Sequence, residues 1–269
     1  DKDALKKLID YSVKRHFPEI KNETDNVLLF LRSVMEKQID LIVNWMRVGF
    51  IHGVMNTDNS TISGETIDYG PCAFMNSYDL NTVYSSIDLQ GRYSYGNQPN
   101  IIHWNILRLA ESLIGLINED EKKAVSIIEK KISDISSQIS SKWLNMMLQK
   151  IGIENAEPED EQLVHDLLKW MQDNKADFNN TFCYLMEHNH INDKVFERDS
   201  FKFWKNNWTL RVKKEKNYLD VMKRVNPIFI PRNHLVENAL DEAVKGKINK
   251  FNSLIELTSK PYSFQSKHE

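Results

Sequence analysis

The residue types best suited to chemistry fall in one unbroken stretch, GFIHGVMNTDNSTISGETIDYGP, from Gly49 to Pro71. His52, Asn56, Asp58, Asn59 and Asp68 sit there among Gly49, Gly53, Gly64 and Gly70. Mg²⁺ takes hard oxygen ligands in near-octahedral geometry and keeps several positions for water and substrate phosphates. One carboxylate and one amide oxygen from two nearby loops suit it, which makes Asn59 and Asp68 a candidate metal pair. A further carboxylate beside such a pair can take the proton of an attacking hydroxyl, and Asp58 is the candidate for that base. A chain that concentrates its glycines in one region needs unusual backbone geometry there. Six of the nine glycines lie between Gly49 and Gly96.

The spacing has a partial precedent. Small-molecule kinases of the protein-kinase-like group carry a loop of form H-G-D-x-x-x-x-N, in which the aspartate is the base and the asparagine holds metal. His52, Gly53 and Asn59 fall in that register, but Val54 stands at the aspartate position and the carboxylate reappears at Asp58. Asp68-Tyr69-Gly70 stands where such kinases carry their metal-binding triplet. Transfer of the γ-phosphate of ATP, as in a conventional kinase, remains one reading of these residues. A catalytically silent scaffold that binds nucleotide or partner proteins is another.

The full stretch resembles the selenoprotein O family, kinase-fold enzymes that transfer AMP to proteins. The family signature reads close to GF-x-HGVMNTDN-x-S-I-x-G-x-T-I-DYGP-x-x-F, and this chain follows it with Thr61 between Ser60 and Ile62. GRYSYGNQP from Gly91, WNILRLAESL from Trp104 and NPIFIPRNHLVENAL from Asn226 are similar to later family segments. The resemblance implies a catalytic Asp58, with Asn59 and Asp68 binding Mg²⁺ (Mn²⁺ being the alternative oxygen-ligated ion) that carries ATP. It implies transfer of AMP to Ser, Thr or Tyr hydroxyls of protein substrates. It also implies an N-terminal lobe with a glycine-rich loop, a lysine–glutamate pair and phosphate-gripping arginines, none of which this chain matches. Residues 1–269 therefore read as a C-terminal lobe, inactive alone, whose missing N-lobe is itself a partner. Cys72 and Ala73 replace the family's commoner Phe-Gly after Pro71, and Tyr84 stands near a position where many bacterial members carry a cysteine.

The elements that must position these residues are helical. Val27, Leu31, Val34, Gln38, Ile42 and Trp45 recur at three- and four-residue steps, which predicts a helix from about Thr24 to Val48 with one polar gap. A shorter helix, Asp3 to Arg15, ends near Pro18. Further helices are expected at Ile101–Leu116, Glu121–Lys150, Glu159–Gln172, Phe178–Glu187, Arg198–Lys216, Asn233–Lys245 and Ile248–Glu256. Thr61–Ser63 and Thr66–Ile67 flank Gly64-Glu65 and predict a very short β-hairpin inside the active loop. The fold class expected is mainly α: one kinase-like C-lobe with catalytic loop 52–60, metal triplet 68–70, a long irregular loop 69–98 and a helical remainder 99–257.

Composition narrows the classes. The net charge of −3, from 35 basic and 38 acidic residues, argues against a nonspecific nucleic-acid binder. No run approaches the roughly 18 apolar residues of a membrane span, and the opening DKDALKKLID has no apolar signal core. Two cysteines in unrelated contexts suit a reducing compartment, read as the bacterial cytoplasm, or the mitochondrion for a eukaryotic member. Residues near the site also have plain structural readings. His52 is expected to pack and hydrogen-bond, Cys72 to be a small buried hydrophobe, and Arg92 and Tyr93 to stabilise the loop unless they touch substrate. Asn233 is expected to cap a helix, the acidic run Glu154–Glu161 to be a solvated turn, and Lys213–Lys216 to be an exposed helix face.

Overall fold

The structure is a computed structural model that describes residues 1–21, 23–187, 191 and 193–265. The described residues gather into two compact units.

The first unit comprises residues 1–44, 54–70 and 97–142. Helix α1 (Lys2–His16) is capped by Asp1, whose carboxylate accepts the Ala4 N–H at 3.0 Å. It stops where Phe17 leaves helical geometry and Pro18 follows, with Phe17 packed edge-on against Phe30 at 5.8 Å. Helix α2 (Asn26–Val48) presents the predicted stripe: Leu31, Val34, Gln38 and Ile42 are buried. Helix α3 (Gln98–Ile117) has Pro99 in its first turn, where the missing N–H costs nothing. It buries Ile101, Ile102, Ile106, Ala110 and Leu113, so both helices bring apolar stripes to the core of the unit.

The helix expected over Glu121–Lys150 is two helices, α4 (Glu121–Ile132) and α5 (Ile135–Lys150). The break falls at Ser133-Asp134, and side-chain chemistry explains it. The Asp134 carboxylate accepts from Arg32 Nη1 and Nη2, at 2.5 and 2.9 Å, and from Gln138 Nε2 at 2.8 Å. Ser133 Oγ donates back to the Lys130 carbonyl at 3.1 Å. Such local acceptors and donors compete with the helical ladder and favour a helix start.

The second unit comprises residues 45–53, 71–96 and 143–269. Its two strands, β1 (Phe50–Ile51) and β2 (Ala73–Phe74), pair antiparallel with Phe50 opposite Phe74 and Ile51 opposite Ala73. The predicted hairpin is thus corrected: the pairing brackets the active loop instead of lying within it. At the predicted hairpin, Thr61 Oγ1 accepts the Glu65 N–H at 2.9 Å and donates to the Glu65 carbonyl at 2.7 Å. A side chain takes both backbone groups that a hairpin ladder would need.

Helices α6 (Asp160–Asn174), α7 (Phe178–Leu185), α8 (Asp199–Val212), α9 (Tyr218–Val225), α10 (Asn233–Val244) and α11 (Asn249–Ser259) complete this unit. Phe178, Phe182, Phe201, Trp204 and Trp208 form an aromatic core among them. Helix α8 ends at Val212, and α9 is an element absent from the sequence-based expectation. Lys213–Lys216 lies beyond the helix end, so it is no helix face: its three lysines are exposed as expected, but Glu215 turns inward. Its carboxylate accepts from Arg211 Nη1 at 3.1 Å and from Asn155 Nδ2 at 2.9 Å. Arg211 also bonds Asp160 through Nε and Nη2, both at 2.8 Å, so the acidic run is anchored and Asp160 is buried. Burial opposes ionisation of Glu215, but the Asn155 and Arg211 bonds outweigh it and hold the carboxyl below its usual range. Arg232, not Asn233, occupies the N-cap position of helix α10, and its side chain makes no capping bond. The Arg232 guanidinium instead forks onto Asp177, at 2.7 and 3.1 Å, and so supports the residue that caps α7.

Candidate active site

Asp58, Asn59 and Asp68 all belong to the segment 54–70 of the first unit. Residues Thr57–Asn59 form a single 3₁₀ turn entered through an extended Asn56. Asp58 projects from this turn and is exposed, whereas Asn59 is half-buried. Asn59 Nδ2 donates to the Val54 carbonyl at 3.1 Å. A carbonyl can only accept, so the atom facing it must be the amide nitrogen. That fixes the orientation of the side chain and turns its Oδ1 away from Val54 as a hard oxygen donor.

Asp68 is exposed and has φ of +54°, a conformation that aspartate tolerates better than most residues. The Gly70 N–H closes a tight turn onto the Asp68 carbonyl at 2.8 Å. An exposed carboxylate and an oriented amide oxygen are ligand types that Mg²⁺ takes, alongside water and phosphate oxygens; among the described residues no group of three or more His, Cys, Asp or Glu side chains gathers into an all-protein metal site.

The loop between them is held against α2. Gly64 has φ of +75°, and a Cβ there would stand 2.9 Å from Lys37 Cβ and 3.0 Å from the Lys37 carbonyl oxygen. Gln38 donates its side-chain amide to the Thr61 carbonyl. Asn105 of α3 donates to the Met55 carbonyl at 3.2 Å and to Ser60 Oγ at 2.7 Å. In the sequence both amides lie inside expected helices and carry no chemical motif of their own. Their signals were present: Gln38 is the lone polar residue in an apolar stripe, and Asn105 lies within WNILRLAESL.

In the second unit, His52 is fully buried and its ring stacks on Trp45 at 5.2 Å, in keeping with its structural reading. Cys72 is half-buried rather than buried, and burial pushes its thiol pKa up, which lowers its thiolate character. The backbone N–H groups of Arg92 and Tyr93 donate to the Asp88 carboxylate at 2.9 and 2.8 Å. That loop is pinned further by Tyr84 Oη on the Phe74 carbonyl at 3.1 Å and by buried Tyr95, whose Oη donates to the Met46 carbonyl at 2.8 Å. The loop is thus held through the backbone of Arg92 and Tyr93, which any residue but proline could supply.

A family model described as "Protein adenylyltransferase SelO" matches residues 1–259. The chain belongs to this family. Among its relatives, the "Protein nucleotidyltransferase YdiU" of Clostridium perfringens strain 13 is 49% identical over 264 residues, covering 97% of this chain and 54% of the relative. The protein of the same name from Bacillus cereus strain AH820 is 47% identical over 270 residues, covering 98% of this chain and 55% of the relative. That of Pelagibacter ubique strain HTCC1062 is 46% identical over 262 residues, covering 96% and 54%. The SelO family is thus one of enzymes, with relatives named for nucleotidyl transfer. This chain spans about half the length of the curated relatives it matches. Among the described residues, no helix is long and apolar enough to cross a membrane.

Proposed function

We propose that the intact protein containing this chain transfers AMP from ATP to Ser, Thr or Tyr hydroxyls of proteins, and that residues 1–269 are its kinase-like C-terminal lobe. The observation that carries the reading is the oriented amide of Asn59, held by Val54 in the same loop as exposed Asp58 and upstream of exposed Asp68. Asn59 Oδ1 and the Asp68 carboxylate would hold Mg²⁺. When bound, the ion neutralises charge on the nucleotide phosphates. Asp58 orients the acceptor hydroxyl and takes its proton as the new O–P bond forms. The α-phosphorus gains that bond and loses its bond to pyrophosphate. Placement of the two reactants contributes much of the acceleration, since in-line transfer asks little covalent chemistry of the protein.

The relatives are about twice as long as the stretch this chain matches, and on this reading their further length includes the lobe that grips the triphosphate. On this reading, residues 1–269 alone bind nucleotide weakly and transfer nothing. We place the intact protein in the bacterial cytoplasm, in keeping with its bacterial relatives. The test uses the full-length protein with Mg-ATP and a mixed-protein acceptor pool. Transfer of label from the α-phosphate alone supports the reading. Transfer from the γ-phosphate alone makes the protein a kinase, and nucleotide binding without transfer of either label makes it a scaffold.

A further inference from the structure

Two buried amides in the first unit are only half used. Gln38 is 2% exposed and Asn105 is 6% exposed. Gln38 Oε1 and Asn105 Oδ1 are both buried without a hydrogen-bond partner among the described residues. Orphaned buried acceptors are uncommon and each is destabilising, so something must favour an amide at these two sites. The other half of each amide shows what that is. Asn105 Nδ2 joins the Met55 carbonyl, just before the Asp58 turn, to Ser60 Oγ, just after it. Gln38 Nε2 takes the next carbonyl, that of Thr61.

On one side the turn faces open space rather than packed side chains. A cleft of about 290 Å³ lies beside it, lined by Thr57 and Ser60 of the turn and by Val34, Gln38, Asn105 and Leu109 of the two helices. Asn59 Nδ2 on Val54 closes the turn from within, but that bond does not reach α2 or α3. The Asn105 and Gln38 bonds tie its two ends to α3 and α2, which are rigid elements with buried apolar faces.

We propose that Asn105 and Gln38 are positioning residues for the transfer reaction: together they fix both ends of the turn that carries Asp58 and Asn59. The inference rests on the function proposed above. Their amide nitrogens act on the Met55 and Thr61 carbonyls and on Ser60 Oγ, that is, on the turn itself. An error of about 1 Å in placing reacting groups can cost ~100-fold in rate, so loss of a tether lowers kcat while leaving nucleotide affinity intact.

The experiment uses the full-length protein carrying Asn105→Leu, Asn105→Asp or Gln38→Met, with kcat, KM for ATP and thermal midpoint measured for each. Leu and Met keep the approximate volume and remove both the donor and the orphaned oxygen. The expected result is a kcat at least ~10-fold lower, KM for ATP within about 2-fold, and a thermal midpoint close to the parent's. Asn105→Asp adds a readout that a purely structural role would not move. As a carboxylate it cannot donate to Met55, whereas its protonated form regains one donor. Its activity relative to the parent at the same pH is therefore expected to recover as pH falls, and that of Asn105→Leu is not. Unchanged kcat in folded variants, or an Asn105→Asp profile parallel to the parent's, overturns the proposal. If Asn105→Leu fails to fold, Gln38→Met and the Asn105→Asp profile decide it. If the parent moves no α-label, the proposed function fails. The tether is then judged by the Asn59 side-chain amide resonances, whose lack of change in all three variants would overturn it.

Discussion

Asn59 donates its side-chain amide to the carbonyl of Val54, five residues earlier, at 3.1 Å. The bond spans the turn that carries Asp58, so one side chain both shapes the loop and presents an oxygen. The two roles can be separated by substitution. Asn59→Ala removes both and should lower transfer by the full-length protein at least ~100-fold while raising the Mg²⁺ concentration needed for half-maximal rate. Asn59→Asp keeps an oxygen ligand and adds charge, but cannot donate to Val54. It should keep metal dependence close to the parent's and still lose kcat. A Mg²⁺ titration of initial rates for both variants checks this, and equal metal dependence in parent and Asn59→Ala would remove Asn59 from the metal set.

Asp58 and Asp68 are both exposed carboxylates, yet their removal should read differently. Asp58→Ala should reduce transfer at least ~100-fold and leave Mg-dependent nucleotide binding near the parent value, because a base acts on the acceptor proton. Asp68→Ala should weaken the metal-dependent part of nucleotide binding as well as transfer. Calorimetric titration of the full-length variants with ATP, with and without Mg²⁺, separates the two. Weakened binding in Asp58→Ala together with unaltered binding in Asp68→Ala would reverse the assignments.

The sequence made some of this legible and hid the rest for physical reasons. Long amphipathic helices announce themselves through one face, so α1, α2 and α3 lie within a few residues of their expected bounds. Asp58, Asn59 and Asp68 stood out as candidates because metal and proton chemistry restricts residue type and local spacing, and the structure places all three in segment 54–70. The break at Ser133-Asp134 was hidden because apolar periodicity runs through it, while the local Ser133 and Asp134 bonds that end the helix are joined by Arg32, distant in sequence. The hairpin expectation failed because Thr and Ile have strand propensity, while the Thr61 hydroxyl satisfies Glu65 itself. Glu215 looked solvated among lysines, and only Arg211 and Asn155 reveal why it turns inward.

Lys150 gives the second unit a pH-dependent stability. Its Nζ is buried, donates to the Arg47 carbonyl at 2.8 Å and Asn226 Oδ1 at 2.7 Å, and lies 3.8 Å from the Phe182 ring centroid. Burial, reinforced by the positive charge of Arg47, holds its pKa well below the usual 10.5. Between that lowered value and 10.5 the unfolded chain binds more protons than the folded one, so this group makes stability rise with pH across the window. Urea unfolding at several pH values should show a positive slope of up to about 1.4 kcal/mol per pH unit from this residue. Lys150→Met should flatten the slope, while leaving the Arg47 and Asn226 acceptors unpaired should lower the midpoint. A slope identical in parent and variant would place the titration elsewhere.

Arg211 offers the sharpest test of how the second unit is held together. Its guanidinium bonds Asp160 at 2.8 Å through two nitrogens and Glu215 at 3.1 Å, and all three side chains are largely removed from water. Replacing one partner of such a network leaves the others as buried, uncompensated charges, which costs more than the bonds themselves contribute. Arg211→Met should therefore destabilise the protein by about 3 kcal/mol despite preserving the aliphatic stem. The triple change Arg211→Met, Asp160→Asn and Glu215→Gln should recover much of that loss, since no buried charge is then stranded. Because α6 and α8 meet through these groups, the single variant should also speed backbone hydrogen exchange in the first turn of α6 and the last turn of α8. Equal melting midpoints for the parent and Arg211→Met would show the network to be surface-like in energy, worth no more than an exposed ion pair.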